Sequence, residues 1–172
     1  GLVSGAYALT KSGTGNVILS NQNTFSGGLT VAEGTATSGT TYSGTSGPFG
    51  SGTVTVQADG TLDINNYSVN APISLDGGAL VNNATSGGSG QGELLLGVTL
   101  TADSVIGGAG SVNISSAVTS NGYGLVFLGT GTKTLSNASN TLTTIASGSG
   151  IGELNVLNNA AITIGEVTAG GS

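Results

Sequence analysis

Short apolar, polar, apolar triplets recur along the chain, each closed by Gly, Asn, Asp or Ser. One reads Leu29, Thr30, Val31 and runs into Ala32, Glu33, Gly34; the next reads Val54, Thr55, Val56, then Ala58, Asp59, Gly60, with Leu62 and Ile64 beyond. Ile73, Ser74, Leu75 precede Asp76, Gly77, Gly78 and Leu80, and Val98, Thr99, Leu100 precede Ala102, Asp103, Val105 and Ile106. Leu154, Asn155, Val156 repeat the form ahead of Asn158, Asn159, Ile162 and Ile164. Alternation on this scale is strand periodicity, and the residues that follow each triplet are turn formers.

The triplets begin at Leu29, Val54, Ile73 and Val98, with a shorter step in the middle than on either side. A recurrence of about 20 to 25 residues with no helical pattern between predicts an all-β solenoid, in which each coil buries its inward Val, Leu and Ile against the coils above and below. A sandwich would show turn signals at a spacing of about 8 to 12 residues without a coil-length period. At about 4.8 Å per coil, roughly eight coils make a rod of about 40 Å. Residues 1–172 thus read as a single segment. A longer internal repeat links 9–35 with 125–150: Gly13, Thr14, Gly15, Leu19, Ser20, Asn21 match Gly129, Thr130, Gly131, Leu135, Ser136, Asn137, and Asn23, Thr24 are echoed by Asn140, Thr141. Apolar residues near both ends, Leu2, Val3 and Ala6 to Leu9 at one and Ile162, Ile164, Val167 at the other, predict that stacking continues beyond them.

Composition narrows the function classes. The 172 residues include 33 Gly, two Lys, no His, Cys, Met or Trp, and carry a net charge of −6. Nucleic-acid binding, which draws on Lys and Arg, is excluded, as is attraction of this segment to an anionic membrane surface. No run approaches the roughly 18 apolar residues of a spanning helix. Without Cys there are no disulfides and no thiol chemistry. With 37% apolar residues, the chain has the means to fold.

The stretch Leu9, Thr10, Lys11, Ser12, Gly13, Thr14, Gly15, continuing through Val17, Leu19, Ser20, Asn23, Thr24, Phe25, Ser26, Gly27, Gly28, Leu29, Thr30, Val31, Glu33, Gly34 and Thr35, resembles the passenger-associated strand repeat of bacterial autotransporters. The segment from Gly129 to Ser147 is a degraded copy that lacks the Gly-Gly pair and the aromatic. The resemblance implies a right-handed parallel β-helix exported through an outer-membrane barrel to the cell surface, as part of a larger protein.

Candidate chemistry is sparse. Asp59 and Asp63 are the nearest carboxylate pair, of the kind that polysaccharide hydrolases use, but Asp59 reads as a turn residue in Ala58, Asp59, Gly60. Only Lys11 and Lys133 could supply the base and cations of a lyase. No His stands ready to activate a Ser. Thr130 to Thr134 lacks the Gly before Lys133 that a phosphate loop requires. Gly107, Gly108, Ala109, Gly110 and Gly87, Gly88, Ser89, Gly90 begin like calcium-binding nonapeptides, yet Val112 and Gly92 stand where Asp should ligate. The sequons at Asn66, Asn83, Asn113 and Asn137 are chance matches in a chain this rich in Asn, Ser and Thr. Stacked Asn65, Asn82, Asn113 and Asn158 are expected to form ladders. Thr-x-Thr pairs at 53/55, 99/101, 132/134 and 141/143 do not keep step with one coil, which counts against ice binding.

The expected function is therefore a structural and adhesive rod of a secreted surface protein, not an enzyme, without catalytic, cofactor-binding or metal-ligating residues. Its expected partners are flanking coils or copies of itself, with glycans or a host surface beyond them. A filament subunit and a polysaccharide-binding or polysaccharide-degrading β-helix are the alternatives.

Overall fold

The computed structural model describes residues 1–84 and 92–165, and among these every regular element is a strand. All pairings between named strands are parallel, and each joins residues one coil apart along the chain. The chain is a parallel β-solenoid of about eight coils, with a third face of regular strands formed from Glu93 onward. This is the expected architecture.

The first face stacks the triplets in register: Leu9 pairs with Leu29, Leu29 with Val54, Val54 with Ile73, Ile73 with Val98 and Val98 with Val118. From Leu29 to Val118 these residues are buried, as are Val31, Val56, Leu75 and Leu100 two positions on. Alternation thus sends positions one and three inward and position two outward. The second face carries Ala36, Leu62, Leu80, Ile106 and Phe127 inward in one column. The third face contributes Leu94, Ile114, Leu135 and Val156. Each column buries its apolar side chains between those of the neighbouring coils, worth about 1.5 to 3 kcal/mol for a Leu, Ile or Val.

Three local expectations are corrected. Ala32 to Gly34 and Ala58 to Gly60 are not free turns: they lie within the ten-residue strands Leu29–Ser38 and Val54–Asp63, which bend where the register shifts between Val31 and Glu33. The backbone ladder continues through the bend because both coils bend together. Leu154, Asn155, Val156 does not extend the first face; it stacks on Lys133 to Leu135 in the third. Nor do Asn65, Asn82, Asn113 and Asn158 form a ladder. Asn65 adopts a positive φ and donates to the Ser38 carbonyl, while Asn113 lies on the outer row of the third face.

Buried asparagines act instead as vertical braces. The Asn82 side chain accepts from the Asn66 backbone N–H at 2.8 Å, in the coil before, and donates to the Ser111 carbonyl at 2.6 Å, in the coil after. Asn23 does the same with Val3 N–H and the Pro48 carbonyl, and Asn140 with Val118 N–H and the Leu157 carbonyl. Each side chain ties three coils. An amide suits this task because it holds a donor and an acceptor at opposite ends of one short group. The echo of Asn23, Thr24 in Asn140, Thr141 was the signal for two of the three.

Candidate interaction surface

The outward middle residues of the first-face triplets form one unbroken row. Thr10 pairs with Thr30, Thr30 with Thr55, Thr55 with Ser74, Ser74 with Thr99, Thr99 with Thr119, and Thr119 bridges to Thr141. Seven coils therefore present a hydroxyl at one equivalent position, at a rise of about 4.8 Å per rung. All seven are partly or fully exposed, and among the described residues none of their hydroxyls has a hydrogen-bond partner. Chain spacing had concealed this row. Coils differ in length, so Thr55 and Thr99 come from separate Thr-x-Thr pairs whose linear separations look irregular, while their partners Thr53 and Thr101 lie off the ladder.

The other singled-out residues take structural places. Asp63 is buried and its carboxylate accepts from the Asn65 N–H at 2.9 Å, the Asn83 N–H at 3.2 Å and the Asn83 side-chain amide at 3.1 Å. Asp59 is exposed at the bend of its strand, opposite Glu33. The two aspartates share no hydrogen-bonding group. Lys11 donates to the carbonyls of Ser12 and Glu33 at 3.0 and 2.9 Å and to that of Gly13. Lys133 points into the solenoid between Val112 and Leu154 and is fully buried. Among the described residues no group of three or more carboxylates, His or Cys is placed to hold a metal ion. Gly87 to Gly90 and Val167 lie outside the described residues.

Aromatic side chains do not form an outer row. Phe25, Phe49 and Phe127 are core residues, the exposed Tyr7 and Tyr123 lie on coils far apart, and the half-buried Tyr42 and Tyr67 make one neighbouring pair. The sequons also differ in setting: Asn83 is exposed, whereas Asn66, Asn113 and Asn137 are half-buried.

The two segments of the internal repeat occupy different corners. Gly13 to Gly15 joins Leu9–Lys11 to Asn16–Leu19, from first face to second; Gly129 to Gly131 joins Gly124–Phe127 to Lys133–Leu135, from second to third.

Comparison with known proteins bears on this geometry. The passenger-associated-transport-repeat family matches residues 9–35, the first coil and the start of the second. A curated relative, the adhesin BmaC autotransporter of Brucella suis biovar 1 (strain 1330), is 36% identical over 91 residues, 52% of this chain. The chain spans only about 2% of that relative's length. No solved structure matches. Residues 9–35 carry the passenger-associated transport repeat, and this match together with the autotransporter relative supports a segment of an autotransporter passenger.

Proposed function

We propose that this segment is a structural and adhesive rod displayed at the bacterial cell surface, and that the hydroxyl ladder from Thr10 to Thr141 is its adhesive strip. The observation that carries the reading is the register: seven unpartnered hydroxyls repeat at one rung per coil. A partner engages every rung only if it repeats at the same rise. A second copy of the same solenoid satisfies that condition by construction, so lateral self-association is the favoured mode. The autotransporter relative is itself named an adhesin.

Magnitudes set the strength of such contact. Seven rungs at about 0.5 to 1.5 kcal/mol each give roughly 4 to 10 kcal/mol gross, against an association cost of about 4 to 15 kcal/mol. The balance is weak for one pair of segments and grows with the number of coils in register. Sedimentation equilibrium of the segment across a concentration series tests the reading. Concentration-dependent association, weakened by the double variant Thr55→Lys, Thr99→Lys at unchanged thermal midpoint, is expected. Association that is indifferent to both lysines would remove the ladder from the account.

A further inference from the structure

Three Gly-x-Gly corners stack on successive coils: Gly108 to Gly110, Gly129 to Gly131 and Gly150 to Gly152. Gly108 and Gly129 have φ of 97° and 79°, which L side chains rarely adopt. A Cβ on Gly131 would meet the Gly110 carbonyl, and one on Gly152 would meet the Thr130 and Gly131 carbonyls. The corners are therefore in backbone-to-backbone contact, and their carbonyl oxygens gather in a small volume.

Into that volume projects the Lys133 ammonium. Its Nζ donates to the Gly131 carbonyl at 2.7 Å, the Gly108 carbonyl at 3.0 Å and the Gly110 carbonyl at 3.4 Å. Three N–H donors meet three acceptors. Among the described residues no carboxylate joins these acceptors, and the lysine is 0% exposed. A buried cation without a counter-ion is costly unless oriented dipoles replace its water, and converging backbone carbonyls are the arrangement by which proteins strip and hold small cations. Three neutral oxygens are too few for Ca²⁺, which takes about six to eight, several of them charged. They fit one singly charged hydrogen-bond donor.

We propose that the stacked Gly-x-Gly corner is a binding site for a primary ammonium ion, filled in this chain by the Nζ of its own Lys133. The tether makes the bound cation irremovable. A corner whose sequence begins like a calcium-binding nonapeptide thus closes around an amino-acid side chain and needs no metal from the medium.

Withdrawing the side chain leaves the cage open to a soluble substitute. In the Lys133→Ala variant, n-propylammonium restores the missing atoms, and the thermal midpoint is expected to rise saturably with its concentration. Tetramethylammonium at equal ionic strength, which cannot donate, and Ca²⁺ are expected to leave that midpoint unchanged, as is n-propylammonium added to the Lys133→Met variant, whose apolar stem fills the approach. Equal effects of n-propylammonium and tetramethylammonium on Lys133→Ala would overturn the proposal. A second measurement needs no variant. Acetylation of the native chain, followed site by site by mass spectrometry, should be about tenfold or more slower at Lys133 than at the half-buried Lys11, because reagent reaches the cage only through local opening. Equal rates at the two lysines would show that the ammonium is not held in the cage.

Discussion

Glu33 sits directly opposite Asp59 on adjacent parallel strands, so two carboxylates face each other across one coil step. Like charges in opposed positions destabilise a strand pair. Among the described residues neither has an ion-pair partner, and the chain's only two lysines are committed to backbone carbonyls. Replacing Asp59 by Lys turns repulsion into attraction at an exposed position. The variant should be more stable by a few tenths of a kcal/mol up to about 1 kcal/mol in low salt. The gain should shrink as salt rises, because exposed charges are screened. Urea midpoints at two ionic strengths measure it.

Asn82 is expected to be far more sensitive than its polarity suggests. Truncation to Ala leaves the Asn66 N–H and the Ser111 carbonyl without the partner each now has in the amide. Both backbone groups are only part-buried, so losing the amide costs about 0.5 to 1.5 kcal/mol at each, and Asn82→Ala should lose about 1 to 3 kcal/mol in equilibrium denaturation. Asn113→Ala is the contrast. Its Oδ1 is buried without a partner, and its removal should change stability little.

The two Gly-Thr-Gly segments should respond in opposite ways to the same substitution. A Cβ at Gly131 runs into the Gly110 carbonyl of the coil before, whereas one at Gly15 meets nothing within 4 Å, and neither glycine needs a positive φ. Gly131→Ala should therefore destabilise by about 1 to 3 kcal/mol. Gly15→Ala should be neutral or slightly stabilising, since Ala restricts the unfolded chain. Thermal unfolding of the two single variants decides the point.

Lys133 links stability to pH on the alkaline side. Burial takes more from the ammonium than the three carbonyls return and so lowers its pKa from the usual lysine value of 10.5, and the unfolded chain holds that proton to higher pH than the folded one. Where the unfolded state binds more protons, stability rises with pH. The stabilising trend should begin at the depressed folded pKa and end near 10.5, and below that window Lys133 should contribute no slope. Subtracting the stability profile of Lys133→Met from that of the native chain isolates this contribution. A difference that falls with rising pH would contradict the sign.

The sequence alone determined the architecture and most of one face. The triplets at Leu29, Val54, Ile73 and Val98 announce strands, their spacing announces coils, and alternation states that Thr30, Thr55, Ser74 and Thr99 point outward. Those properties are local, and local pattern is what a sequence displays. The tertiary structure decided what depends on register. The coil from Leu29 to Val54 is longer than the coil from Val54 to Ile73, so corners of unequal length set which residues stack, and linear spacing does not reveal that Thr10 to Thr141 align. The same holds for the interior. Asn23, Asn82 and Asn140 find their partners in the coils on either side, and Lys133 is buried because the carbonyls of Gly108 and Gly110 come from the preceding coil. A polar side chain goes inside only where neighbouring coils present the groups that satisfy it, and those neighbours exist only once the chain has wound upon itself.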